Sequence, residues 1–181
     1  MINISRYFQI VENKNELVIR LIAIHEASHI IITEFSNFHT FPKDHKFTID
    51  KKKYTGESYF AIPKSVATNL ALKNKIDEEY IAICLAGYWG ELKYCEENGY
   101  CFKAKDLSKP DFKLARSKIK PILFLFKPLS KYHKYTRLNI DQHWADILKL
   151  QAFMIKNESY SILQALDMLG ICNANKFISK F

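Results

Sequence analysis

The chain lacks any apolar run able to cross a bilayer. Its longest apolar stretches, residues 17–32 and 119–126, carry charges or prolines and fall short of the roughly 20 residues a spanning helix needs. It also lacks an export signal: MINISRYFQIVENKN has no basic region followed by an apolar block, so a cytoplasmic location is expected. No G-x-x-x-x-G-K-[ST] phosphate loop occurs, and 181 residues leave no room for an ATPase module, so ATP is not an expected partner. Five glycines and five prolines exclude fibrous and low-complexity architectures. The four cysteines, Cys84, Cys95, Cys101 and Cys172, have no C-x-x-C spacing, which excludes a cysteine-knuckle metal site and predicts free thiols in a reducing compartment.

What is present fits one globular domain over residues 1–181, with 48% hydrophobic and 25% charged residues. The formal charge is +8, with a short lysine run at 51–53 and a basic segment from Lys127 to Arg137. Scattered lysines of this kind read first as solvated surface, and no nucleic-acid-binding motif accompanies them.

Residues 14–35 have apolar side chains at spacings of three and four and read as a helix, capped by Asn13 or Asn15. HKFTID, the lysine run and TGESYFAI read as two strands joined by a turn, with Pro63 closing the second. Helical spacing returns over 65–74 and 77–97, the latter stopped by Asn98-Gly99. Ser108-Lys109-Pro110-Asp111 is a helix start, with Ser as cap, Pro in the first turn and an acidic residue three past the cap. Two C-terminal helices are expected over 138–156 and 159–170. The sum predicts a mainly helical α+β fold with a small sheet.

Inside the first helix lies His25-Glu26-Ala27-Ser28-His29. Helical residues four apart are offset by about 40°, so the two imidazoles share a face and can bind one zinc ion. Glu26 points about 100° round the helix from His25, where it can reach a metal-activated water without binding the metal. That is the arrangement of a zinc peptidase, with Glu26 as general acid/base. The bland alternative is a pair of core histidines satisfied by backbone carbonyls. A catalytic zinc also needs a third protein ligand. Most of His39, His45, His133 and His143 read as surface histidines, leaving the carboxylates at 91, 106 and 111 as better candidates.

The stretch AIHEASHIII resembles the A-x-H-E-A-G-H-A signature of the FtsH-type zinc peptidases, the proteolytic domains of membrane-anchored AAA proteases. Three further blocks follow in the family's order. Residues 45–49 with 55–59 are similar to its V-H-K-V-S-I and L-G-Y-T strands, residues 83–91 to its L-L-G-G-R-A-A-E-E helix, and residues 106–116 to N-D-L-x-x-A-T-x-L-A-R. The resemblance covers roughly residues 18 to 120. It implies a zincin-like H-E-x-x-H helix and a Zn²⁺ ion held by His25, His29 and the aspartate of the last block. Asp111 keeps that block's helical spacing to Ala115 without a gap and sits in a first helical turn; Asp106 keeps the following leucine and is the alternative. Glu91 matches the first glutamate of A-A-E-E, a position from which to orient a ligand histidine. Two departures stand out: Ser28 replaces the family's glycine, and Tyr88-Trp89 replaces its Arg-Ala.

The expected function is therefore ATP-independent hydrolysis of peptide bonds in protein or peptide substrates. A peptidase-like binding or regulatory protein without turnover is the alternative, and a nucleic-acid-associated protein the third. Nothing in the sequence sets the oligomeric state.

Overall fold

The computed structural model describes residues 14–42, 44–58, 62–63, 72–100, 109–119 and 129–171. Its elements, in chain order, are α1 (Lys14–Glu34), β1 (His39–Thr40), β2 (Lys46–Asp50), β3 (Thr55–Ser58), β4 (Ile62–Pro63), α2 (Lys73–Asn98), α3 (Lys109–Lys118), α4 (Leu129–Gln142), α5 (Trp144–Lys156), β5 (Ser159–Ser161) and α6 (Ile162–Met168). The fold is α+β and mainly helical, as expected. No described helix is long and apolar enough to cross a membrane.

The α1 helix is the axis of the molecule. Every residue from Leu21 to Thr33 is buried, because LIAIHEASHIIIT is apolar on almost all sides and must be enclosed on all of them. It packs against α2, α5 and the sheet, and Gln151 of α5 donates to the Arg20 carbonyl at 3.1 Å. Helix α2 has two working faces. One joins α1 through Ala82, Ile83 and Ala86; the other holds Ile81, Cys84 and Leu85 against Ala115 of α3 and Tyr132 of α4. Cys84 and Cys95 are buried and not joined in a disulfide; Cys101 and Cys172 lie outside the described residues.

The main sheet is antiparallel with order β3-β2-β5, and β1 pairs with β4 separately. Phe47 and Ile49 of β2 face the core, and their register partners Ser58 and Gly56 put the same face of β3 over α1. Among the described residues β2 is the strand partner of β3, so β3 is an edge.

Several expectations change. The second strand is described over Thr55–Ser58, residues 59–61 lie outside the described residues, and Ile62–Pro63 pairs with β1. The segment 138–156 is not one helix: α4 starts at Leu129 and a break at His143 precedes α5. There His143 stacks on Phe35, centroids 3.9 Å apart and planes at 11°, and its carbonyl accepts from Asp146 and Ile147. Residues 159–161 are strand, not helix, because Tyr160 pairs opposite Phe47 and its ring meets Phe153 at 5.1 Å. Asn15 lies within α1, one residue past its first. Asn13, Ser108 and most of the expected helix at 65–74 lie outside the described residues.

Glu79 of α2 ties down the turn after α1. It accepts from the Ser36 hydroxyl, the Asn37 side chain at 2.9 Å and the Phe38 N–H at 3.0 Å, beside His39. Burial favours the neutral acid, but these donors outweigh it and hold the carboxyl below its usual range. A depressed pKa gives stability that is present above the unfolded value and lost as pH falls through the folded one. Glu79→Gln should therefore cost about 1–3 kcal/mol at pH 7. Urea melts should show that gap shrinking as the solution is acidified to pH 3; a gap constant with pH would contradict the assignment.

Candidate metal centre

The two histidines project from the buried middle of α1 toward α2. His29 Nδ1–H donates to the Ile83 carbonyl at 2.7 Å, since a carbonyl only accepts, and this turns Nε2 toward His25 and Asp111. His25 Nδ1–H donates to Glu91 Oε1 at 2.7 Å, which turns Nε2 of this ring toward Asp111. The rings meet edge to face, centroids 4.7 Å apart.

Asp111 arrives from the first turn of α3. Its Oδ2 lies 3.2 Å from His25 Nε2 and 3.5 Å from His29 Nε2, and the two Nε2 atoms are 3.1 Å apart. Ligands disposed tetrahedrally about zinc at about 2.0–2.1 Å are separated by about 3.3 Å, so the three atoms form one face of such a tetrahedron. Among the described residues these three side chains make a group able to hold a metal ion. All three are buried, Asp111 being the most accessible, at 12% of its side chain.

The electrostatics favour a cation at the centre. Three electron-pair donors converge in a buried space and repel one another unless a proton or metal ion lies among them. Burial works against charging His25, but hydrogen bonds to Asp111 and Glu91 prevail and push its pKa up to about 10. Burial likewise opposes ionising Asp111, yet the two imidazoles beside it, His25 and His29, hold the carboxyl well below the usual range. Glu91 is wholly buried, and its Oε2 has no hydrogen-bond partner among the described residues. A carboxylate enclosed in this way is costly without a compensating positive charge nearby. The donor set thus fits zinc.

Two glycines of α2 make the approach possible. A Cβ on Gly87 would lie 2.4 to 2.6 Å from three atoms of the His25 ring, and one on Gly90 would lie 2.0 Å from Ser28 Oγ. Ser28 donates to the Ile24 carbonyl at 2.7 Å and fits because Gly90 stands opposite.

Glu26 is buried beside the trio but is not part of it. It accepts from the Ser58 hydroxyl of β3. Asp106 lies outside the described residues. The other histidines correct the surface reading: His39 and His143 are buried, His45 and His133 half-buried. Sequence reasoning missed Ser58 and Gly87, for which only the pairing of strand with helix gives a signal.

Glu91→Ala should weaken zinc affinity about 10- to 100-fold, because it frees the His25 ring to rotate. Competition with a chromophoric chelator reads this directly, and wild-type affinity in the variant would remove Glu91 from the centre. No family model matches the chain, and a search of curated proteins finds no relative.

Proposed function

We propose that the chain is a zinc-dependent endopeptidase of the FtsH type, acting without ATP on protein or peptide substrates. The observation that carries this reading is the convergence of His25 Nε2, His29 Nε2 and Asp111 Oδ2, with Glu26 beside them and outside the set. A purely structural metal site has no use for that fourth group.

The chemistry a zinc ion supplies when bound is Lewis acidity, which brings the pKa of water toward about 7. His25, His29 and Asp111 are the residues that would hold it. Glu26 takes a proton from the attacking water at a carboxylate oxygen and later gives it to the departing amine nitrogen. Ser58 occupies Oε2 and so steadies the carboxylate while leaving Oε1 for the proton. Strand β3, an edge among the described strands, suits an extended peptide, since main-chain pairing to it lays the chain alongside the face that covers Glu26.

The test is cleavage of an unfolded, fluorescently labelled protein. Cleavage should require zinc, stop on chelation, return when zinc is restored and ignore ATP. Zinc-loaded protein that binds such a substrate but never cuts it would favour the binding-protein alternative.

A further inference from the structure

Beyond the metal centre, α3 and α4 meet over an aromatic floor. Tyr88 and Trp89 of α2, Phe112 of α3 and His133 of α4 contact one another with centroids 5.3 to 6.1 Å apart, and Trp89 Nε1–H donates to His133 Nδ1 at 3.0 Å. This is the packing that the Tyr88-Trp89 departure serves.

Both helices flank that floor with cations. On α3, Lys109, Lys113 and Arg116 follow at spacings of four and three and are all exposed. At about 100° per residue, Lys109 and Arg116 lie within about 60° of the direction of Phe112, and Lys113 about 100° from it. On α4, the exposed Arg137 lies about 40° from His133 and the exposed Lys134 about 100°. Arg137 stacks over Trp89 at 5.4 Å and reaches Glu96 at 3.5 Å. Lys118 and Lys131 face Asp77 and Glu78 at 4.0 and 3.8 Å. Among the described residues Lys113, Arg116 and Lys134 form no ion pair. The lysine hairpin differs: Lys51 and Lys53 there face Glu158 and Asp50 at 3.1 and 3.7 Å.

We propose that the α3–α4 face is a docking surface for an acidic segment of a polypeptide. The surplus charge selects an anionic partner. The rings below are half-buried and turned edge to face upon each other, which leaves them poor platforms for stacked bases and favours a peptide over nucleic acid. Because α3 carries Asp111 on one side and the cation stripe on another, docking holds a substrate next to the metal centre. That purpose rests on the peptidase reading; the binding itself does not.

The probe is fluorescein-labelled octaglutamate, followed by anisotropy at 50 mM salt on wild-type protein in chelator, where no turnover occurs. Wild type should bind, and the triple variant Lys113→Glu/Arg116→Glu/Lys134→Glu should bind about tenfold or more weakly. The matched variant Lys46→Glu/Lys52→Glu/Lys53→Glu, with the same change in net charge, should stay within about twofold, as expected if the effect is local. If the first variant folds poorly by circular dichroism, the glutamine version of the same three positions replaces it. Absence of wild-type binding, or equal weakening by both variants, overturns the proposal. So does tighter binding of an oligothymidylate of equal charge, which would make the face a nucleic-acid surface. Cleavage assays are separate, so a failure of docking and a failure of the peptidase reading are distinguishable.

Discussion

Glu26→Gln should keep one zinc per chain and lose turnover by about 10²- to 10⁴-fold, the range typical of removing a general acid/base. The two readouts separate because Glu26 stands outside the ligand trio and bonds to Ser58 of β3. Glutamine preserves the volume and an oxygen for the Ser58 hydroxyl, so packing beneath the strand should survive. What it cannot do is accept a proton. Zinc content by elemental analysis, set beside cleavage of an unfolded protein, checks both halves. Full activity in this variant would remove Glu26 from the chemistry, and loss of zinc would make it a ligand or a structural support.

Gly87→Ala should be nearly as damaging, although residue 87 touches no substrate. The added methyl would lie 2.4 Å from His25 Cε1, 2.5 Å from Nδ1 and 2.6 Å from Nε2. The ring has no retreat, since Glu91 lies 2.7 Å from Nδ1 and Asp111 3.2 Å from Nε2. Either the ring leaves its position or α1 and α2 move apart. Both outcomes lower zinc affinity, and overpacking of this kind costs about 1–3 kcal/mol in stability. Thermal melts and zinc titration measure the two effects, and a variant with wild-type values in both would mean that α2 does not lie against His25 in this way.

The part of the site carried by one helix was legible in the sequence. His25, Glu26 and His29 need only a regular α-helix to take up their positions, and the apolar run from Leu21 to Ile32 declares one. Asp111 was reachable because Pro110 and the acidic residue mark a helix start. The histidines elsewhere were misread because their burial depends on partners distant in sequence: His143 lies against Phe35, and His39 beside Glu79. The break at His143 has neither proline nor glycine to announce it. The strand at Ser159–Ser161 is three residues long, and its partner β2 is more than a hundred residues away in sequence. One local signal was there to be used: Ser161 caps α6 by accepting from Gln164 N–H, a serine with glutamine three residues on that places the helix start after residue 161. Glu91 was reachable through the resemblance, and it lies on His25 Nδ1; the place of Ser58 depends on how β3 meets α1, which no local pattern encodes.

The most direct test of the central claim is the zinc content of purified wild-type protein beside His29→Ala and Asp111→Ala, each reloaded with zinc and dialysed. One zinc per chain in wild type, lost or greatly weakened in both variants, is the predicted result, with circular dichroism showing that each variant still folds. A wild-type protein that takes up no zinc would contradict the account and leave His25, His29 and Asp111 as a buried cluster held by a proton.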